Sequence, residues 1–356
     1  MNVTMKKILA ILLTAAMAVG MVSCGSSPSS SAPAAPVSSD AQPSEEGAST
    51  PSTDKVYNIG VIQLLPHTAL DAAYEGFVDG LKEAGYEDGK NIKITYQNAQ
   101  GEQSNCVTIA DKLINDKNDL ILAIATPAAQ AVANKTKDIP ILVTAVTDPA
   151  DAQLVASNEA PGGNVSGTSD LNPIKEQMEL LTQLVPGAKK VGMLYCSSEA
   201  NSEFQVGLAK AELETKGIES VDFTVTNANE IQQVMQSMAG KVDAIYTPTD
   251  NMIANAMVTV SMVANQLKIP IIAAEPGMVE NGALATYGLS YYNLGKQTAA
   301  MAVKILAEGA NPGDMPIEYL QETELVINTT TADALGLTIP EDLAAKARMV
   351  ETPEAE

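Results

Sequence analysis

The chain has 356 residues, 46% hydrophobic and 18% charged, with 43 acidic against 21 basic side chains and a net charge of −22. So acidic a surface offers no basic footprint for phosphate, which excludes nucleic acid as a partner, and it gives anionic lipid no electrostatic hold. One histidine and three cysteines leave no cluster with zinc-ligand spacing and a single possible base for a Ser-His-Asp site, so no metal, no cofactor and no catalysis are expected.

The chain begins with Lys6 and Lys7 ahead of an apolar run, Ile8–Val19. That run is shorter than the roughly 20 residues a membrane-spanning helix needs, and it has the layout of an export signal. Met21-Val22-Ser23-Cys24 follows and resembles a bacterial lipobox, with Met21 where Leu is usual. The resemblance implies removal of residues 1–23 as a signal peptide and a lipid on Cys24. Gly25–Asp54 contains one Val and no other large hydrophobe. It cannot bury enough apolar surface to offset its ordering entropy, so residues 24–54 are expected to be a disordered tether.

Roughly 300 residues remain, more than one core usually serves, so two lobes are expected. Strand and helix signals alternate: Val56–Gln63 strand, Ala69–Ala84 helix, Asn91–Gln97 strand, Gln103–Asn115 helix, Leu120–Ala125 strand, Ala128–Thr136 helix, Pro140–Thr144 strand. Alternation of this kind gives a parallel sheet with helices on both faces. The pattern then recurs. Asn58–Ile62 matches Lys190–Leu194, Gly85 matches Gly217, and Asn98-Ala99 matches Asn227-Ala228. Asp119 with Thr126-Pro127 matches Asp243 with Thr247-Pro248, and Ile139-Pro140-Ile141 matches Ile269-Pro270-Ile271. All five lie about 130 residues apart and in order. The fold class is therefore α/β, with two homologous doubly wound parallel-sheet lobes. Cys106 is expected on the helix after the second strand and Cys196 in a loop, both free.

Ligands of such sheets bind outside the strand C-termini, so the loops there are the candidate site. In the first lobe, His67 lies after the first strand. Thr126-Pro127-Ala128-Ala129 combines a capping Thr, a first-turn Pro and two small residues, a helix end suited to an anion; a cap with nothing bound is equally common. Thr147 could add a hydroxyl, and Asp148-Pro149 reads either as site or as turn. In the second lobe, Asp250 offers a carboxylate for an ammonium or an N-cap for a helix over Met252–Leu267, with Asn251 beside it. Ser197, Ser198, Glu199 and Asn201 carry the same ambiguity, and Glu275 is another cation partner. Tyr195 is a nearby aromatic, with packing the competing role; Ser169 and Asp170 complete the candidate set. A carboxylate-binding helix end facing a carboxylate complements a zwitterion, so a free amino acid is the expected ligand. A sugar site would present stacking aromatics, and the chain has no Trp and three Phe.

At these loops the sequence resembles the tryptophan/tyrosine-type ABC transporter substrate-binding proteins, a subgroup of the type I periplasmic binding proteins. The resemblance rests on Ala125–Gln130, Thr147-Asp148-Pro149, Pro161–Gly167, Ser197–Ser202, Asp250-Asn251 and Leu325–Pro340, and extends from Val56 to about Ala347. It implies a Venus-flytrap with a three-crossover hinge near Thr168, Leu284 and Glu324. Lobe 1 is then residues 56–166 and 285–323, lobe 2 residues 167–284 and 324–347, and residues 348–356 an acidic tail. It also implies an aromatic or large apolar amino acid as ligand, delivery to an ABC permease, a monomer, and a place on the outer face of the cytoplasmic membrane held only by the N-terminal lipid. The loop Pro66-His67-Thr68-Ala69-Leu70-Asp71 departs from the family's usual Glu-His-Pro-Ala-Leu-Asp on either side of the histidine. The competing readings are a sensor of similar fold for a membrane signalling system, a binder of another small carboxylate, and a secreted hydrolase. The hydrolase would need a Gly-x-Ser-x-Gly elbow, which the chain lacks.

Overall fold

The structure, a computed structural model, describes residues 55–352. The expected export signal, Cys24 and the tether fall outside this range, as do residues 353–356.

The first repeat runs β1 (Tyr57–Gln63), α1 (Thr68–Glu83), β2 (Ile92–Asn98), α2 (Gln103–Asn115), β3 (Leu120–Ile124), α3 (Thr126–Ala133), β4 (Ile141–Val146) and β5 (Val165–Ser169). The second runs α4 (Ile174–Leu184), β6 (Lys190–Cys196), α5 (Ala200–Thr215), β7 (Glu219–Val225), α6 (Ile231–Ser237), β8 (Ala244–Thr247), α7 (Asn251–Asn255), α8 (Met257–Leu267), β9 (Ile271–Ala273), α9 (Pro276–Glu280) and β10 (Ala285–Leu289). The return segments are α10 (Tyr291–Glu308), β11 (Glu318–Tyr319), β12 (Thr323–Asn328), α11 (Thr329–Leu335), α12 (Glu341–Ala344) and β13 (Arg348–Val350).

Sheet order shows the duplication directly. One sheet reads β11-β5-β4-β3-β1-β2 and the other β13-β12-β10-β9-β8-β6-β7. Their repeat strands occupy the same places, β2-β1-β3-β4-β5 in one lobe and β7-β6-β8-β9-β10 in the other. Central strands such as β3, Leu-Ile-Leu-Ala-Ile, are buried on both faces, as a helix-covered parallel sheet requires. The second sheet departs from all-parallel character at one pair: β12 runs antiparallel to β10.

The expected hinge position near Leu284 is displaced. β5 pairs with β4 in the first sheet, and β10 pairs with β9 in the second. The crossovers therefore follow Ser169 and Leu289, and the third lies between Tyr319 and Thr323, close to the expected place. The reason is the repeat itself: each lobe needs a fifth strand to finish its sheet before the chain can leave. The expected tail also begins too early, since Arg348–Val350 pairs with β12. The expected helix over Met252–Leu267 is two helices, broken at Ala256, whose N–H is shared between the carbonyls of Met252 and Ile253. Cys196 ends strand β6 rather than sitting in a loop; both Cys106 and Cys196 are buried and free.

Helix α10, from after the second crossover, packs on α1 of lobe 1 along a seam of small residues. A Cβ placed on Gly76 would lie 1.9 Å from the Tyr292 carbonyl oxygen, and one on Gly295 would lie 2.0 Å from that of Ala73. Both obstacles are backbone, so neither can yield without parting the helices. Gly295→Ala is expected to destabilise the protein by about 3 kcal/mol and to lower Tm by roughly 6–10 °C in a calorimetric scan. An unchanged Tm would mean the helices are not seated at this distance. Among the described residues, no helix is long and apolar enough to cross a membrane.

Candidate ligand-binding cleft

The strand C-termini of the two lobes face each other, and the lobes are closed. Thr147, after β4, places its hydroxyl 3.2 Å from the Thr249 hydroxyl after β8, and the Gln205 amide on α5 donates to both. At the other side His67 Nε2 lies 3.3 Å from Asn251 Oδ1, and Asn281 Nδ2 donates to Thr68 Oγ1 at 3.2 Å.

Between these contacts is a small cavity of about 10 Å³. Lobe 1 and the crossovers contribute His67, Leu70, Ala145, Asp170 and Tyr291; lobe 2 contributes Thr249, Asp250, Asn251, Ala254, Glu275 and Met278. The wall carries three carboxyl groups and no Lys or Arg, so it favours a cationic group.

The carboxyl groups differ in what they have left to offer. Asp250 is spent on its own lobe: it accepts from Cys196 N (2.6 Å), Ser202 Oγ (2.7 Å) and Ile253 N (2.9 Å), capping α7. Glu275 caps α9, accepting from Gly277 N at 2.6 Å. Asp170 Oδ2 accepts from Tyr291 OH at 2.7 Å, but its Oδ1 is buried and has no partner. Burial pushes the Asp170 and Asp250 carboxyls up and lifts Glu275 to about 7. Glu199, behind the wall, reaches about 8 through burial and the nearby charge of Asp250, although Asn251, Met252 and Asn201 all donate to it. His67 goes the other way: burial lowers it to about 4, against the raising effect of its Asn251 contact and of Asp71. The residue keeps some surface at the cleft rim, while its Nδ1 has none and no partner.

These shifts fix the sign of the pH dependence. Glu199 and Glu275, raised on folding, contribute stability that is complete below their ordinary value and is lost as pH rises through about 7 and 8. His67, lowered, contributes stability present above 6.5 and lost as pH falls toward about 4. The protein is therefore expected to melt higher near pH 6 than near pH 8.5 in calorimetric scans, with roughly 2–4 °C for each kcal/mol. A Tm that rises steadily to pH 8.5 would show that the buried acids are not strained.

Of the residues singled out from sequence, His67, Asp170, Asp250, Asn251 and Glu275 meet in the cavity wall. Thr147, Glu199 and Asn201 stand behind it, bonded to the wall or to the opposing lobe. Ser169 fixes the Thr147 loop by donating to its carbonyl. The others are not part of the wall. Thr126, Ala128 and Ala129 are buried and Pro127 half-buried at the start of α3, where the N-cap position is Ala125. Asp148 takes the turn role, accepting from Ala150 N, Asp151 N and Asn158 Nδ2. Tyr195 is in the core of lobe 2, and Ser197 and Ser198 are exposed. Leu70 lies in the first turn of α1 and Thr249 in the loop after β8. Ala145, Ala254, Met278, Tyr291 and the bridging Gln205 were not marked. Tyr291 was within reach of the repeat, since it directly follows the fifth strand of the second copy.

Two facing α/β lobes joined by three crossovers around a closed polar cavity define a type I periplasmic binding protein. Residues 58–351 match the family model for ABC transporter substrate binding proteins, and the chain belongs to that family. It is 45% identical over 333 residues to a tyrosine-binding protein of Clostridioides difficile strain R20291, covering 93% of each. A Streptococcus pneumoniae ABC domain in complex with L-Trp is 42% identical, with a TM-score of 0.81. A substrate binding protein from Clostridium difficile in its ligand-free, open form is 46% identical but has a TM-score of 0.66. Both structures are matched over 83% of this chain and 100% of theirs. The more identical chain, in its open form, superposes less well than the Trp-bound one.

Proposed function

We propose that the protein is the extracytoplasmic receptor of an ABC importer, binding a free aromatic amino acid between its lobes and delivering it to the permease. The observation that carries the reading is Asp170 Oδ1, a buried acceptor without a partner in the wall of the interlobe cavity. A buried carboxylate in this condition calls for a donor, and an ammonium both fills it and offsets its desolvation. The tyrosine-binding relative and the Trp-bound structure support an amino acid with an aromatic side chain. In this proposal Cys24 carries the lipid, residues 24–54 are the leash, and the receptor works as a monomer with neither metal nor cofactor. Its lobes divide the chain at the observed crossovers.

The protein has no tryptophan, so added L-tryptophan reports its own binding through its fluorescence, and calorimetric titration covers the other amino acids. One or more of tyrosine, tryptophan and phenylalanine should bind with micromolar or better affinity. Failure of all three would sink the proposal.

A further inference from the structure

We propose that His67 is a specificity-determining residue whose Nδ1 accepts a hydrogen bond from the side chain of the ligand, so that the cleft selects amino acids bearing a ring hydroxyl or ring N–H over phenylalanine. The inference rests on the amino-acid reading above and adds to it which side chains are taken.

The first step is the orientation of Asn251. Its Nδ2 donates to Glu199 Oε2 at 2.5 Å, and its backbone N–H donates to the same oxygen at 3.1 Å. With the amide nitrogen turned to Glu199, the atom facing the histidine is Oδ1, 3.3 Å from His67 Nε2. In that orientation the amide oxygen accepts and Nε2 carries the hydrogen. In a neutral imidazole the other nitrogen is then a bare lone pair. Burial keeps the ring neutral at physiological pH. Lobe 2 thus sets the tautomer of a lobe 1 side chain at the moment of closure.

The second step is the missing partner of that lone pair. His67 Nδ1 and Asp170 Oδ1 are both buried without partners, and both residues line the same cavity. A ligand that fills it must bring at least two donor groups. An ammonium goes to the carboxylate, where the bond is charge-assisted. The neutral imidazole is left for a neutral donor. Leu70, one turn beyond His67, and Ala254, one turn beyond Asn251, give that donor an apolar flank. A phenylalanine would leave Nδ1 buried and unpaired. Sites built to bond a substrate hydroxyl reject the analogue lacking it, here by roughly 10- to 100-fold.

The test is calorimetry on the full-length, untagged protein with tyrosine, tryptophan, phenylalanine and O-methyltyrosine. Tyrosine or tryptophan should bind at least about tenfold more tightly than phenylalanine, with O-methyltyrosine grouped with phenylalanine, and His67→Leu should reduce the gap to about threefold or less. Equal affinities in the unaltered protein, or a gap that survives His67→Leu, would overturn the proposal. If no aromatic amino acid binds, the amino-acid reading fails instead. A second measurement needs no variant. His67 is the only histidine, so nitrogen-15 histidine labelling gives one ring to observe. In the protein bound to whichever of tyrosine and tryptophan binds tighter, the expected state is a protonated Nε2 and an unprotonated Nδ1 shifted by the ligand's hydrogen bond. An Nδ1–H tautomer or a charged ring overturns the assignment.

Discussion

Asp170→Asn should abolish most ligand binding while leaving the empty protein as stable as before, or more so. In the unaltered chain Asp170 is 3% exposed, its carboxyl is pushed up by burial, and one oxygen is unpaired. An amide of the same shape removes the buried charge and puts an N–H donor where the proposed ammonium would sit, repelling the ligand it replaces. Losing one partner of a desolvated charge pair costs about 2–5 kcal/mol, or roughly 30- to 5000-fold in affinity. Thermal shift separates the two effects. Ligand at a thousand times its Kd stabilises a protein by about 4 kcal/mol. A hundredfold weaker variant at the same concentration gains only about 1.4 kcal/mol. The expected result is an unchanged or raised Tm without ligand and a much smaller ligand-induced rise. A full ligand-induced rise would show that Asp170 does not touch the ligand. Tyr291→Phe, which removes the hydroxyl donating to Asp170, should have a smaller effect of the same sign.

The second large effect is expected at Asp250, for a different reason. Asp250→Ala strands three donors at once, Cys196 N, Ser202 Oγ and Ile253 N, and removes the cap of α7. Loss of a cap costs about 1 kcal/mol and each buried unpaired donor about 1 or more, so about 3–4 kcal/mol of stability should go. Asn251 is the next residue, so the closing contact with His67 loosens as well, and affinity should fall by more than about tenfold. Asp250→Asn, which keeps an acceptor at the cap and removes a charge that burial disfavours, should lie between the two. Calorimetric scans and titrations on the same preparations distinguish the outcomes. Lost affinity at an unchanged Tm would restore Asp250 as a direct ligand of the ammonium. An unchanged Tm and affinity would show that even the cap is dispensable.

The contrast between these two acids shows where sequence stops being informative. Asp250 was legible as a cap because capping is local: the carboxylate and the N–H it accepts are three residues apart. The duplicated sheets were legible because strand and helix signals repeat in order. The crossovers carried no such local signal and followed only from the resemblance, because Val165–Ser169 and Ala285–Leu289 are five-residue strands containing glycine whose neighbours only the sheet order supplies. Which loops reach the ligand depends on the closure angle, a property of the pair of lobes. At the observed angle the first turn of α3 is not part of the wall, while Ala145 is. Gln205 sits inside α5, and its partner Thr147 is 58 residues away, so no local pattern marks it. The histidine could be read as a cleft residue from its place after β1, but its tautomer is dictated by Asn251, 184 residues away.

The seam between α1 and α10 also bears on how the molecule is made. A chain released from the ribosome only as far as residue 290 holds five of the six strands of the first sheet. It still lacks the helix that packs on α1 along Ala73, Gly76 and Phe77. The amino-terminal lobe is thus the first synthesised and among the last completed, because its closing element is encoded beyond the whole of the second repeat. Contacts so distant in sequence slow folding and keep apolar surface open for longer. The consequence is an unfinished first lobe, in which the α10-facing side of α1 stays uncovered until α10 has been made.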